Sequence, residues 1–408
     1  MSSRRLLALA LLAAGAARAD GSATTFFDSR PYVRDSGYQE EPIFESFSLF
    51  ARADGGAYLQ DVRIVARGWG RVTLGLPLDD HRTAGDVDSL FFEGRLFQRH
   101  LTLRLGRQMV TGGAARATQI DGAFARIVAK GVGAELYGGV PVDPRFAAAR
   151  GDAIAGGRLF WNPAFDSELG ASAVYALKRG YVARKDAGFD ASVTPVRPLT
   201  LSGLAQWSVD DRRLEEARLA ALVQLAPQLQ IVGDVQRTAP DLFIDRNSIF
   251  AVFAEELRDE AGGEIVLRPL RPLSLSADWH WLRVEGGHGQ RGGFRGTLRT
   301  GEDGSLGVEL RLLTQPDNGY KEARLFWIRR LDPAFTLTVD LDGYWLEREL
   351  SLFAQKRSLV ATGTLGWAVD EAWEAMLAGS YGTTPYFEQR AEVAVRVAWK
   401  FGMPGGAR

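Results

Sequence analysis

The chain has 408 residues, a formal net charge of −1, 24% charged and 46% hydrophobic residues, and no cysteine. The near-neutral charge offers no basic footprint for nucleic acid. The lack of thiols excludes a disulfide scaffold, a cysteine-ligated metal site and a lipidated N-terminal cysteine. A mean hydropathy of −0.11 is that of an ordinary soluble protein, but a wall that shows only alternate residues to lipid has the same average.

Residues 1–19 read as a secretory signal: Arg4 and Arg5, the apolar run Leu6 to Ala17, and Ala17-Arg18-Ala19 as a cleavage site before Asp20. The run is shorter than the roughly 20 residues a membrane-spanning helix needs. No later uncharged stretch reaches that length, so helical spans are excluded. Losing Arg4, Arg5 and Arg18 would take the net charge from −1 to −4. Residues 20–42, with Phe26, Phe27, Tyr32 and Tyr38, are expected to form an extension that projects into the periplasm or folds inward.

From residue 43 to 401 the chain reads as strands. Compact turns are expected at Trp161-Asn162-Pro163, Thr194 to Pro198, Ala226-Pro227, Arg268 to Pro272, Leu331-Asp332-Pro333 and Val369-Asp370-Glu371, because proline has no amide to give a ladder and fits strand boundaries. Alternating runs follow them. Leu199, Leu201, Gly203, Ala205 and Trp207 share one face; Leu273, Leu275, Ala277, Trp279 and Trp281 share another. Leu306, Val308, Leu310 and Leu312 repeat the pattern, as do Phe335, Leu337, Val339 and Leu341. Longer connections are expected at 77–88, 110–120, 141–152, 238–258, 285–291 and 315–319. Hairpins of roughly 30 residues then give about 18–22 strands, and an even count places both ends on the periplasmic side.

The last run, Ala391 to Phe401, sets Val393, Val395, Val397, Trp399 and Phe401 against Glu392, Arg396 and Lys400. It resembles the C-terminal signal of Gram-negative outer-membrane β-barrels, whose final strand ends in an aromatic residue; here a tail, 402–408, follows it. The expected fold is all-β, a transmembrane antiparallel up-and-down β-barrel in the cell outer membrane. Outer-membrane lipids and the barrel assembly machinery are its implied partners. A soluble secreted β protein is the competing reading. It would need sandwiches or propeller blades with a recurring four-strand motif, and none is seen.

On that fold, an interfacial girdle is expected from Trp207, Trp281, Trp345, Trp399 and Phe401. The lumen is expected to be lined by Arg104, Asp234, Asp278, His280, Glu309, Arg311, Glu322, Arg324, Asp340, Asp342, Glu374, Glu392, Arg396 and Lys400. Both signs are present, which implies cross-strand ion pairs rather than a selective ring. Of the basic residues 43 are Arg and 6 Lys, a bias that suits planar forks gripping carboxylates or hydroxyls and that genome composition also produces. The stretch Leu242, Phe243, Ile249, Phe250 and Phe253 is too apolar for a solvated loop; an inward constriction and an overlong strand are both open.

No catalytic, metal or cofactor site is expected. Gly170-Ala171-Ser172-Ala173-Val174 lacks the final glycine of a nucleophile elbow. Ser276, Asp278 and His280 stand side by side at about 6.6 Å on one strand face, too regular for a triad. Leu103-Arg104-Leu105-Gly106-Arg107-Gln108 is similar to the strand of general porins that carries a lumenal arginine. The overall layout resembles the barrels that help export exopolysaccharide in delta-proteobacteria, and that resemblance implies a periplasmic polysaccharide export protein as partner. The functional expectation is an outer-membrane channel for hydrophilic solutes or a polymer, polysaccharide export being the favoured specialised form. A general diffusion porin, a lipid hydrolase and a structural or adhesive barrel remain the alternatives.

Overall fold

In the computed structural model the described residues are 22–29, 32–35, 46–59, 61–75, 83–142, 149–164, 166–239, 257–284, 286–316, 319–348, 356–371, 373–384 and 387–402. The expected signal and the tail beyond Gly402 lie outside them.

The chain opens with β1 (Ser22–Ser29), β2 (Tyr32–Asp35), β3 (Ser46–Leu59), β4 (Val62–Gly75), β5 (Thr83–Leu96) and β6 (Leu101–Val110). After a one-turn helix, Gly113–Ala115, come β7 (Thr118–Ala129), β8 (Val132–Pro141), β9 (Ala153–Ala164), β10 (Ser167–Lys178) and β11 (Tyr181–Val196). Next are β12 (Leu199–Ser208), β13 (Arg213–Ala226), β14 (Leu229–Thr238), β15 (Arg258–Leu270), β16 (Leu273–Val284) and β17 (Gly287–Arg299). The series ends with β18 (Gly304–Thr314), β19 (Tyr320–Arg330), β20 (Phe335–Leu346), β21 (Arg357–Ala368), β22 (Trp373–Thr384) and β23 (Phe387–Gly402).

From β3 onward every strand pairs antiparallel with its successor. β1 pairs with β3 on one edge and β23 on the other, so the pairing returns to its start. β2 continues β1 in the same register, Ser22 opposite Gly402 and Tyr32 opposite Glu392. The two therefore fill one place in the wall, and the 23 strands among the described residues occupy 22 places, the top of the expected range. Ser22 opposite Gly402 puts both ends of the described chain on one rim. Within residues 20–42, expected to form an extension, β1 and β2 belong to the wall.

Connections on the rim that carries the two ends span two to four residues, from 60–61 to 369–372, where the sequence marks compact turns. Lys130 and Gly131, between β7 and β8, both have positive φ (50° and 80°), as a two-residue type I′ turn requires. Connections on the opposite rim reach the span 239–257. Two expected long loops are shorter: β5 begins at Thr83, and only residues 285–286 separate β16 from β17. In the second case Gly286 and Gly287 have positive φ, so glycine makes a tight reversal where the run of polar residues suggests a loop.

One face of the wall is apolar and exposed: Leu105, Leu136, Leu159, Leu219, Ile265, Leu310 and Leu377 all stand on it. Trp207, Trp281 and Trp345 lie on this face near the long-loop rim, and Trp161, Trp367 and Trp373 near the short-turn rim. Trp345 pairs with Arg357, ten residues before Trp367 on β21. Ten residues rise about 34 Å along a strand, or ~25 Å across the bilayer at a tilt of about 40°. That is the height of the apolar band of a membrane barrel. Trp367 also stacks on Phe335 at 5.8 Å. Trp399 and Phe401 belong to β23, and their side chains lie outside the described set.

Candidate functional site

The feature that shapes the inside is the hairpin of β6 and β7. Gly106 faces Gly122 across it. A Cβ on Gly106 would stand 2.2 Å from the Leu90 carbonyl, and one on Gly122 would stand 2.1 Å from the Gly138 carbonyl. Only glycine permits such backbone approach. The hairpin tip, Gly113–Ala115, meets strands far around the wall. The Ala114 amide donates to Ser172 Oγ at 2.7 Å, and Arg184 donates to the Ala114 carbonyl at 2.7 Å. Arg116 reaches Gln206 at 3.2 Å and pairs with Glu216. The tip thus lies against inward positions of β10 to β13, as a bar across part of the lumen.

Apolar packing holds it there. Val110 and Ala114 of the hairpin form one buried cluster with Ile120, Phe124, Tyr137, Ile154 and Val174. The wall strands beneath the tip therefore carry apolar residues on their inner face. Sequence reasoning missed this constriction, since residues 110–120 read as a polar loop. The available signal was Gly112-Gly113-Ala114-Ala115, too small and uncharged for a solvated connection. The segment with Leu242, Phe243, Ile249, Phe250 and Phe253, for which the sequence leaves an inward constriction and an overlong strand both open, lies outside the described residues.

Elsewhere the inner face is a lattice of ion pairs. Arg104 donates to Glu93 at 2.7 Å, and the same buried carboxylate takes Arg63 at 2.8 Å and Arg95 at 3.1 Å. Arg104 also stacks over Phe124 at 5.2 Å and Phe91 at 5.6 Å. Arg324 bonds Asp340 through Nε at 2.9 and 3.0 Å and approaches Glu309 to 3.9 Å. Arg311 pairs with Glu309 and lies 3.5 Å from Glu322. Asp342 faces Arg324 in register. Glu392 pairs with Arg390. Arg396 stands opposite Met376, and Glu374 opposite Ala398. Lys400 is in β23, its side chain outside the described set.

Asp234, Gly262 and His280 share one row across β14, β15 and β16. The missing side chain at Gly262 lets His280 Nε2 reach Asp234 at 3.0 Å, while Nδ1 faces Asp278 at 3.7 Å. Both ring nitrogens are turned to carboxylates. The arrangement is a polar row in which His280 hydrogen-bonds Asp234, and the ladder of Ser276, Asp278 and His280 does not assemble as a triad.

At the long-loop rim Asp152 ties two connections together. Its carboxylate accepts from the Ala149 amide at 2.8 Å and the Arg179 amide at 2.7 Å. These bonds hold its pKa below the ordinary aspartate value, the Arg179 amide being the larger cause. Because the folded pKa is depressed, the tie is fully present above the unfolded value of about 3.9 and is lost as pH falls through the folded one. The Ala149 and Arg179 amide resonances should titrate together with a midpoint below about 3.9, and Asp152→Asn should abolish the step. A midpoint above that value would show the carboxylate is not held this way.

The closed antiparallel pairing, the exposed apolar band between two tryptophan belts and the charged inner face define a transmembrane β-barrel of the Gram-negative outer-membrane type. No protein-family model and no curated protein matches the chain. Among solved structures, the translocation pore of the P pilus usher PapC has a TM-score of 0.54 at 9% identity, covering 93% of this chain and 100% of that one. PapC within an E. coli P pilus tip assembly intermediate gives 0.55 at 10%, covering 95% of this chain and 61% of that one. A BenF-like porin from Pseudomonas fluorescens Pf-5 gives 0.48 at 10%, covering 95% and 99%. At these identities the likeness is one of fold.

Proposed function

We propose that the protein is a passive outer-membrane channel for hydrophilic solutes. The observation that carries this reading is a wide barrel whose inner face is charged and whose lumen is crossed by a pinned hairpin tip rather than filled by a separate domain among the described residues. Twenty-two wall places imply a backbone diameter on the order of 40 Å. The usher barrel of similar fold is described as a translocation pore, and passage is the reading brought to this chain.

Polysaccharide export is the specialised form. The buried Phe160 ring holds the guanidiniums of Arg126 and Arg158 at 5.0 and 5.3 Å, which sets planar donors for sugar hydroxyls on the inner face, and a periplasmic export protein would be the partner. A single experiment addresses both readings. Planar-bilayer recording of the refolded protein should show stable conductance, reduced by neutral polymers small enough to enter. Reduction that persists up to long, chain-like polymers favours the export form, while early exclusion favours a small-solute porin. A folded barrel that stays electrically silent would end the channel reading.

A further inference from the structure

Beneath the hairpin tip the lumen contains a chamber of about 450 Å³, bounded by β5 to β8 and roofed by Val110 and Thr111. Its charges do not balance. Arg63, Arg95 and Arg104 all turn to Glu93, which is 1% exposed and can neutralise one of the three. Arg126 meets Glu135 only at 3.4 Å, and Arg99 meets Asp61 at 3.4 Å. Four guanidiniums, Arg95, Arg99, Arg104 and Arg126, thus line the chamber against two carboxylates, Glu93 and Glu135, and each guanidinium keeps donors unspent, having five to give.

A second observation points to the same chamber. The turn that brings Arg99 and His100 to its floor runs through Phe97, Gln98 and Arg99, with φ of 51°, 56° and 70°. Three successive residues other than glycine in the left-handed region are costly, and such strain gathers where geometry serves a site. Asparagine or glycine would relieve it, yet the turn carries neither. The turn also sits on the short-turn rim, so the chamber lies on the route between the constriction and that side of the membrane.

We propose that this chamber is a binding station for an organic anion of mono- or disaccharide size, held by carboxylate–guanidinium pairing. A cavity of this volume is within the range that encloses a small ligand, and guanidinium forks match a carboxylate in two-point geometry. The buried Glu93 holds the forks of Arg95 and Arg104 at the chamber wall, and Arg126 and Arg99 line it as well. The inference rests on the channel reading for the route of entry, but not for the chemistry of binding.

The test uses galacturonate and galactose, which differ by a carboxylate in place of a hydroxymethyl group. In planar-bilayer recordings galacturonate should interrupt the current and galactose should not. Arg95→Gln and Arg126→Gln should each weaken the interruption about tenfold, the loss of one charge-assisted pair. Lys321→Gln, which alters an outward-facing charge opposite Trp345, should leave it unchanged. Isothermal titration of galacturonate into the detergent-solubilised barrel reads the same site without current. Heat that vanishes in the two arginine variants upholds the station even in an electrically silent barrel. Current without galacturonate-specific interruption or heat overturns the station and leaves the channel standing. Interruption that is equal for both sugars, or unchanged in both variants, overturns it as well.

Discussion

Excising Gly112–Ala115 is expected to raise the single-channel conductance about twofold, because conductance follows the narrowest section and the tip is the bar across it. The effect is large because the tip is far from its own strands. It bonds Ser172, Gln206 and Glu216, so it crosses the lumen instead of lying along the wall. A gentler pair of changes tests the same point without shortening the chain. Ser172→Ala with Arg116→Ala removes the tip's bonds to Ser172, Gln206 and Glu216 and leaves the Arg184 bond to the Ala114 carbonyl and the apolar contacts of Val110 and Ala114. That variant should replace a steady current by one that flickers between levels. If both variants conduct as the parent does, the tip is not the constriction.

The second large effect concerns the outer face. Leu310 stands exposed near the middle of β18, between the tryptophan belts, and its neighbours Glu309 and Arg311 point the other way into the ion-pair lattice. Leu310→Arg should therefore cost about 2–4 kcal/mol of folding stability, the penalty for a cation at the bilayer midplane. Equilibrium unfolding by denaturant in lipid vesicles measures it. The contrast is instructive, because one residue further on the chain already carries an arginine at no such cost. A loss below about 1 kcal/mol would mean that this face does not meet hydrocarbon.

Much of the barrel was legible because lipid on one side and water on the other impose a period of two on every strand. In β16 the row Leu273, Leu275, Ala277, Trp279 and Trp281 had nowhere to sit except the outer face, where Trp279 and Trp281 are exposed. Turns such as Ala226-Pro227 were marked by the residue that cannot pair. The inner surface was harder to read, because alternation gives the side on which a residue stands and not its partner. Glu93 and Arg63 are thirty residues apart, and only the register of β4 and β5 makes them neighbours.

The constriction was hidden for a related reason. Ile120, Phe124, Tyr137, Ile154 and Val174 are apolar yet inward, since the hairpin tip shields them from the water of the lumen. Their strands consequently carry large apolar residues on both faces, which blurs the signal where the site is most constrained. The first strands suffered differently. β1 and β2 are short, eight and four residues, so neither alone repeats often enough to be recognised as part of a wall.

The pairing of the first strand with the last bears on how the molecule is made. The contact between Ser22 and Gly402 joins residues 380 positions apart, whereas the turns of the short rim close at two to four. Every hairpin forms locally, but the final seam waits for the chain's whole length. The entropy of closing so long a loop rises only slowly with length, yet it must be met before any seam contact compensates it, which places this step late and makes it slow. Until then β3 and β23 are open edges, each with unpaired amides and carbonyls that any other strand could take. The N-terminal strand is a clasp: it satisfies both edges at once, and the curled sheet becomes a sealed tube only when it snaps in.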